Sequence, residues 1–251
     1  ATSATPDQVQ AIFPKASDPQ GKAFGVIRLK QGDHVFEIAT FRVDGPYLDG
    51  RRPSSVTFTT AEEDAKRRDF TVNGMFFDPL QAKVLDFVQG CADLDAKTIR
   101  AIGDPAARFT EDRLRLFRAI RFAVQLGFAI EPQTWEALLR LAPESKNLAP
   151  ERVRDELVKI FTSPDPARGL DLLHDSGLVA VWLPELLEMR GCAQSPEHHP
   201  EGDVWIHTRL LLTHLRNPSP VLAFSALLHD VGKPRTSRTE PSGRIRFFGH
   251  E

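Results

Sequence analysis

The stretch EDRLRLFRAIRFA (residues 111–123) opens on an acidic pair and then places arginines at 113, 115, 118 and 121. Leu116, Ile120 and Val124 recur every four residues, the apolar stripe of a helix packed on a core. Thr110 is positioned to cap that helix. Glu111 and Asp112 then fall in its first turn, where unpaired N–H groups and the helix dipole favour negative charge. Asp112 and Arg115 are three residues apart and so share one helical face. A carboxylate beside a planar guanidinium has two uses. It can form a surface ion pair, which is common and weak. It can also read the edge of a base, the carboxylate accepting from an exocyclic amino group and the guanidinium donating to a ring nitrogen or carbonyl oxygen. Taken alone, the stretch leaves both uses open.

Composition narrows the field. With 251 residues, 41% of them hydrophobic, the chain can bury a sizeable core or build two or three small modules. The formal net charge of −2 carries no bulk basic signal. Any contact with nucleic acid would have to run through local arginine clusters and weaken steeply with salt. Cys91 and Cys192 are far apart and in no metal-like spacing, which suits a reduced, cytoplasmic compartment. The sequence shows no signal peptide and no apolar run long enough to span a membrane.

Thr5, Pro6 and Asp7 form a helix start of cap, N1 proline and first-turn acid, predicting a helix to about Phe13. KAFGVIRL and HVFEIATFRV flank the turn residues QGD and read as two antiparallel strands. Residues 44–60 are rich in Gly, Pro and Ser, and DGPYLDGRRPSSV within them reads as a mobile loop. Helical pattern resumes near Ala61, and MFFDPL and KVLDFV read as short strands around a turn. From about residue 105 the period is helical, punctuated by Pro and Gly.

Three further blocks complete the pattern around residues 111–123. RRDFTVNG (67–74) lies upstream, VLDFVQGCADLDAKTIRAIGDPAARFTED (84–112) between, and ERVRDELVKI (151–160) downstream. This ordered series resembles the class II tRNA nucleotidyltransferase and poly(A) polymerase family, whose best-known members are CCA-adding enzymes. The resemblance runs almost from the first residue to the last. It implies an α+β chain: the remnant of a mixed α/β nucleotidyltransferase head (1–104), an all-α nucleotide-binding neck (105–165) and a helical body (166–251). In the family the segment like ATSATPDQV follows the strand bearing the paired catalytic aspartates, with a glycine-rich phosphate loop before it. The chain therefore reads as a fragment whose Mg²⁺ site lacks its main ligands.

The resemblance also implies roles. Nucleotidyl transfer needs metal ions on carboxylates, a clamp on the triphosphate and an aligned 3′-hydroxyl. Glu37 would lie near the missing aspartates as a catalytic carboxylate, or be an exposed strand residue. Arg42 would face the triphosphate. Simple alternation puts Glu37 and Arg42 on opposite faces, so both reach one site only if the strand ends or bulges between them. Arg67 and Arg68 would neutralise phosphate, and Asp69 and Asn73 would hydrogen-bond ribose hydroxyls. Asp86, Gly90 and Asp93 read as a glycine turn with capping aspartates, tying head to neck. Asp112 and Arg115 would select the base, with Arg118 and Arg121 behind them and Arg152 as a brace; Arg121 also reads as a solvated arginine, and Arg154 faces solvent. Cytosine and adenine both offer an amino donor beside a ring nitrogen acceptor, so one pair serves both.

A second signal lies downstream. His207 in GDVWIHT and His229–Asp230 in ALLHDVGKP resemble the HD phosphohydrolase module, with His250 as a further ligand and the closing aspartate beyond residue 251. Imidazole and carboxylate together suit a divalent transition metal. His198 and His199, in a proline-flanked loop, receive no role. The leading expectation is a template-independent nucleotidyltransferase that adds CMP and AMP to the 3′ end of tRNA from CTP and ATP. The alternatives are an A-adding enzyme or poly(A) polymerase of the same family, a metal-dependent phosphohydrolase of HD type, and an RNA-binding protein without catalysis.

Overall fold

The computed structural model describes residues 1–16, 19–47, 54–197 and 199–250. They fall into two compact units, residues 1–112 and 113–251, with the division inside the stretch EDRLRLFRAIRFA.

The first unit opens with α1 (Pro6–Ile12). Thr5 accepts from Gln8 N while the Gln8 side chain accepts from Thr5 N, a capping box at 3.4 and 2.8 Å. β1 (Val26–Gln31) and β2 (His34–Ala39) pair antiparallel through a turn at Gly32, as the alternation predicts. Val9, Ala16 and Ile27 bury together beneath them. β2 ends at Ala39, Thr40 bridges to Thr2, and β3 (Arg42–Asp44) begins anew. The strand break between Glu37 and Arg42 that the alternation required is therefore present.

β3 pairs with β4 (Val56–Phe58), so part of the stretch read as a loop is a strand; residues 48–53 of that stretch lie outside the described residues. Three β-favouring residues, Val56, Thr57 and Phe58, outweigh the Gly, Pro and Ser around them. α2 (Ala61–Lys66) follows, capped by Thr60. β5 (Phe76–Asp78) and β6 (Lys83–Leu85) form the expected hairpin. α3 (Gly90–Asp95) starts at a left-handed Gln89 with φ 65°.

α4 (Pro105–Glu111) corrects the reading of the opening stretch. Asp104 caps it, accepting from Ala107 N at 2.7 Å, and Pro105 occupies N1. Thr110 and Glu111 are thus the end of one helix rather than the cap and first turn of the next. Asp112 is its extended exit (φ −147°, ψ 105°), and the following helix, α5 (Leu114–Leu126), begins after Arg113 with no side-chain cap. The Asp–Pro start at Asp104, six residues before Thr110, is the stronger signal. Glu111 closes that helix by pairing with Arg108 at 2.9 Å.

In the second unit α5 buries Leu116, Phe117, Ile120, Ala123 and Val124 and stops at Gly127. It packs on α7 (Pro150–Phe161) and α8 (Pro166–Asp175). α6 (Pro132–Leu141), α7, α8 and α12 (Pro220–Leu228) each begin with proline at N1. Between them lie the short helices α9 (Leu178–Trp182) and α10 (Pro184–Glu188), and α11 (Val204–Thr213), which packs on α8 and α12. After α13 (Lys233–Thr236) the helical pattern yields to a hairpin, β7 (Ser237–Thr239) and β8 (Ile245–Phe247). From residue 113 on, the stretches read as neck and body share this one unit, while residues 105–112 of the expected neck fall in the first. No helix among the described residues is long and apolar enough to cross a membrane.

Candidate functional site

Two clusters of charge stand out, one in each unit. The first is built on α2 and β3. Asp64, near the end of α2, is only 1% exposed. Arg67 and Arg68 follow at i+3 and i+4, which brings both guanidiniums over one carboxylate. Arg67 donates to Asp64 Oδ1 through Nε at 2.9 Å and Nη2 at 2.6 Å, to Asp44 Oδ2 at 3.2 Å and to the Arg42 carbonyl at 2.8 Å. Arg68 donates to Asp64 Oδ2 at 3.1 Å and to the Asn73 carbonyl at 3.1 Å, with its guanidinium 4.7 Å from the Phe76 ring centre. Arg42 donates through its side chain to Asp44 Oδ1 at 2.9 Å and to the Phe24 carbonyl, and its backbone N–H meets Asp64 Oδ1 at 3.1 Å. Three arginines, Arg42, Arg67 and Arg68, are thus anchored on the Asp64 and Asp44 carboxylates by well-formed hydrogen bonds.

Asp69 and Asn73 lie beside this cluster. Asp69 Oδ1, 8% exposed, accepts from Phe70 N at 2.9 Å and Asn73 Nδ2 at 3.2 Å. Glu37 lies apart from them on β2. It is exposed and accepts from Arg28 at 3.2 Å across the strand pair. A pocket of about 380 Å³ opens along the arginine cluster, lined by Asp44, Tyr47, Arg67, Arg108 and Glu111 among others.

The Asp86 element behaves as a capped turn. Its carboxylate accepts from Val88, Gly90 and Cys91 N–H at 3.1, 2.9 and 2.9 Å. Burial works to raise the Asp86 pKa, but these three donors outweigh it and hold the carboxyl below its ordinary value. Gly90 is required: a Cβ there would lie 2.4 Å from the Thr71 carbonyl oxygen. Asp93, 5% exposed, accepts from Thr71 Oγ1 at 2.7 Å and Arg100 Nε at 3.0 Å.

The residues expected to choose the base divide between the units, Asp112 closing the first and Arg115 lying in the first turn of α5. Arg115 is 8% exposed. Arg121 pairs with the buried Glu156 of α7 at 2.9 Å and lies 4.2 Å from the Phe122 ring centre, so it joins α5 to α7 rather than facing solvent. Arg118 lies over the same ring at 5.3 Å. Arg152 is half-buried at the start of α7, and Arg154 is exposed beside Asp155.

The second cluster gathers on Asp230, 3% exposed. Asp203 caps α11, accepting from Ile206 N at 2.8 Å, and His207 sits one turn in. His229 ends α12. Gly232 lets the 247–250 segment approach; a Cβ there would be 2.2 Å from the His250 carbonyl oxygen. The three imidazoles share one arrangement. Their Nδ1 atoms meet an acceptor: Glu201 Oε1 at 2.6 Å for His207, Ala226 O at 3.0 Å for His229 and Phe247 O at 2.8 Å for His250. Their Nε2 atoms face Asp230 at 3.8, 3.1 and 3.7 Å.

A neutral imidazole that donates from Nδ1 points a lone pair from Nε2. Lone pairs facing a carboxylate require a cation between them, a proton or a metal. The Asp230 carboxylate beside Nε2 raises the His229 pKa for that reason. Burial opposes ionisation of Asp230, yet His229 and Lys233 overcome it and hold the carboxyl well below its ordinary range. Asp230 Oδ2 touches Lys233 Nζ at 2.8 Å but has no aligned hydrogen-bond donor. His207, His229 and Asp230 offer ligand atoms within 4.8 Å of one another. The donor set and the fixed tautomers both fit a divalent transition metal.

The sequence reading missed several participants. Asp64 was legible from its spacing to Arg67 and Arg68. Asp44, Glu201 and Lys233 were not singled out, and His199, given no role, brings Nδ1 to 3.1 Å from Glu201 Oε1. Its Glu201 partner shows no motif spacing that would have exposed it. His198 lies outside the described residues.

Comparison with known proteins agrees with the order of these blocks. A model described as the poly A polymerase head domain matches residues 1–100. One described as the probable RNA and SrmB-binding site of polymerase A matches residues 127–189. The CCA-adding enzyme of Geobacillus thermodenitrificans (strain NG80-2) is 43% identical over 189 residues, 75% of this chain and 46% of that enzyme. That of Streptococcus pneumoniae serotype 19F (strain G54) is 41% identical over 177 residues, 70% of this chain and 44% of that enzyme. The chain thus spans about half the length of the curated relatives it matches. A crystal structure of the Bacillus stearothermophilus CCA-adding enzyme in complex with CTP superposes with a TM-score of 0.68 at 30% identity, covering 92% of this chain and 54% of that one.

Proposed function

The chain belongs to the class II tRNA nucleotidyltransferase and poly(A) polymerase family, and from that premise we propose that it serves CCA addition: template-independent transfer of CMP and AMP from CTP and ATP to the 3′ end of tRNA. The observation that carries this reading is the arginine cluster of RRDFTVNG, rooted on Asp64 and Asp44. Guanidiniums held this firmly keep their positive charge in place for a triphosphate without reorganising. Arg68, the most exposed of the three at 30% of its side chain, is the leading phosphate contact, ahead of Arg67 at 21% and Arg42 at 17%. Asp69 and Asn73, already linked, would meet the ribose hydroxyls.

Base choice falls to Asp112 and Arg115, with Arg118 behind them and Arg152 as a brace. The carboxylate would take the amino group shared by cytosine and adenine, and the guanidinium would donate to the adjacent ring nitrogen. Uracil and guanine offer the reverse order.

The transfer uses Mg²⁺. Among the described residues of the first unit no three metal-ligating groups converge, and Asp44, Asp64, Asp69 and Asp93 are each engaged by arginine, hydroxyl or amide donors. These residues do not fit a Mg²⁺ seat. Glu37, exposed on β2, is the carboxylate we assign to positioning the attacking hydroxyl. Free Cys91 and Cys192 fit a reducing, cytoplasmic setting.

The test uses the complete gene product with tRNA lacking its terminal CCA. Incorporation of both CMP and AMP is expected; AMP alone moves the assignment to an A-adding enzyme or poly(A) polymerase. In the same protein Asp112→Ala should relax the preference for CTP and ATP over UTP and GTP more than it weakens triphosphate binding. Unchanged preference would sink the base-reading role.

A second reading concerns the second unit, favoured by the three imidazoles converging on Asp230. His207, His229, Asp230 and His250 would hold a divalent transition metal, which when bound supplies Lewis-acid chemistry for phosphate-ester hydrolysis. Metal analysis of wild type and His229→Ala is the check: equal metal content in the two would remove His229 from the ligand set.

A further inference from the structure

The three imidazoles around Asp230 are not held alike. His229 and His250 place Nδ1 on main-chain carbonyls, Ala226 and Phe247. These acceptors come with the fold and vary with no single side chain. His207 alone places Nδ1 on a carboxylate, Glu201, and at 2.6 Å its contact is the shortest of the three. The same Glu201 oxygen also takes His199 Nδ1 at 3.1 Å, and the two rings meet edge-on with centres 4.7 Å apart. Glu201 has 19% of its side chain exposed, and the His199 and His207 side chains 26% and 24%. Two residues on, Asp203 fixes the start of α11 through the Ile206 and Gly191 N–H groups at 2.8 and 2.6 Å. The carboxylate is therefore carried on a tethered segment.

We propose that Glu201 is a positioning residue for this centre: it fixes His207 in the Nδ1–H form, so that the Nε2 lone pair faces Asp230, and His199 clamps the same carboxylate oxygen. The inference deepens the metal-binding reading of the second unit and rests on it. An imidazole whose Nδ1–H donates to an anion is a stronger Nε2 ligand and cannot swing its ring away. An imidazole in water favours the opposite tautomer, with the proton on Nε2, which would block ligation. The carboxylate is thus a device that reverses an intrinsic preference at one ligand. None of the motif spacings records it, because Glu201 and His199 act through His207 and not on the centre itself.

The experiment has two readouts. Long-range ¹H–¹⁵N spectra of the metal-free protein at pH 8 report the His207 tautomer. Calorimetric titration with Ni²⁺ reports affinity. Wild type should show the Nδ1–H form, and Glu201→Ala should move His207 toward Nε2–H and weaken Ni²⁺ about 10–100-fold. Glu201→Gln keeps an acceptor oxygen without the charge; it should hold the tautomer and give an intermediate affinity, and it stands in should the alanine variant not fold. His199→Ala should weaken Ni²⁺ by a smaller factor. His207 unchanged in tautomer in Glu201→Ala, or Ni²⁺ affinity unchanged there while His229→Ala abolishes it, would overturn the assignment. Wild type that takes up no Ni²⁺ would instead overturn the metal reading, and the tautomer spectra alone would then decide the role of Glu201.

Discussion

Asp64 in the first unit and Asp230 in the second are near-identical in burial and opposite in consequence. Both are aspartates with almost no exposed surface, and both are surrounded by cationic groups. Asp64 is surrounded by guanidiniums, which remain charged at every accessible pH. Its oxygens are met by aligned donors, and the result is a set of permanently charged guanidiniums held in place, which suits a polyanion. Asp230 is surrounded by imidazoles that can lose a proton and by one lysine. Its Oδ2 has charge contacts without an aligned donor, and the result is a seat that suits a cation. The partner's pKa, and not the carboxylate, decides which ligand charge each cluster attracts.

Removing each hub measures this difference. Asp64→Ala leaves Arg67 and Arg68, neither of which can neutralise, and should cost about 3–5 kcal/mol in urea unfolding. Asp230→Ala, in metal-free protein, should cost less, about 1–3 kcal/mol. There no permanently charged guanidinium is stranded, and Lys233 keeps Gln194 Oε1 at 2.7 Å. A larger loss at Asp230 than at Asp64 would break the comparison.

Asp86 supplies a third case, a carboxylate whose partners are backbone N–H groups that neither titrate nor carry full charge. Asp86→Asn removes the charge and one of the two accepting oxygens and should cost about 1 kcal/mol near neutral pH. The sign with pH is set by its lowered pKa. A depressed carboxyl contributes stability that is present above its ordinary value of 3.8 and is lost as pH falls through the lowered one. The gap between wild type and variant should therefore close on acidification; a gap that persists to pH 2 would show that the carboxylate charge is not what caps the turn.

Glu37 is the exposed control. Its pairing with Arg28 lies in solvent, with 62% and 58% of the two side chains exposed, so Glu37→Gln should shift stability by less than about 1 kcal/mol. In the complete gene product the same change should depress nucleotide transfer. Unimpaired transfer would return Glu37 to the status of a strand-surface residue.

Local patterns carried much of the architecture. Thr5–Pro6–Asp7 specified α1, the period of two specified β1 and β2, and the four-residue stripe of Leu116, Ile120 and Val124 specified the buried face of α5. Each works because backbone hydrogen bonding and apolar burial act over a few residues. The same logic failed at Thr110. Thr–Glu–Asp has the composition of a helix start, but the chain had already begun a helix at Asp104–Pro105, and a residue within one helix cannot cap the next.

Residue order by itself determined which side chains are available: the arginine pair of RRDFTVNG, the Asp112–Arg115 spacing, and His229–Asp230 with a glycine two residues on. Only the tertiary structure decided what those groups bind at rest. Glu201 meets His207 from six residues away across an irregular segment, and His250 reaches Asp230 because Gly232 leaves room for its backbone. Arg121, which the sequence left open between phosphate and solvent, meets Glu156, 35 residues along the chain. Such pairings depend on the route of the chain between elements, and burial makes them strong, since a charge removed from water must find its partner wherever the fold has placed one.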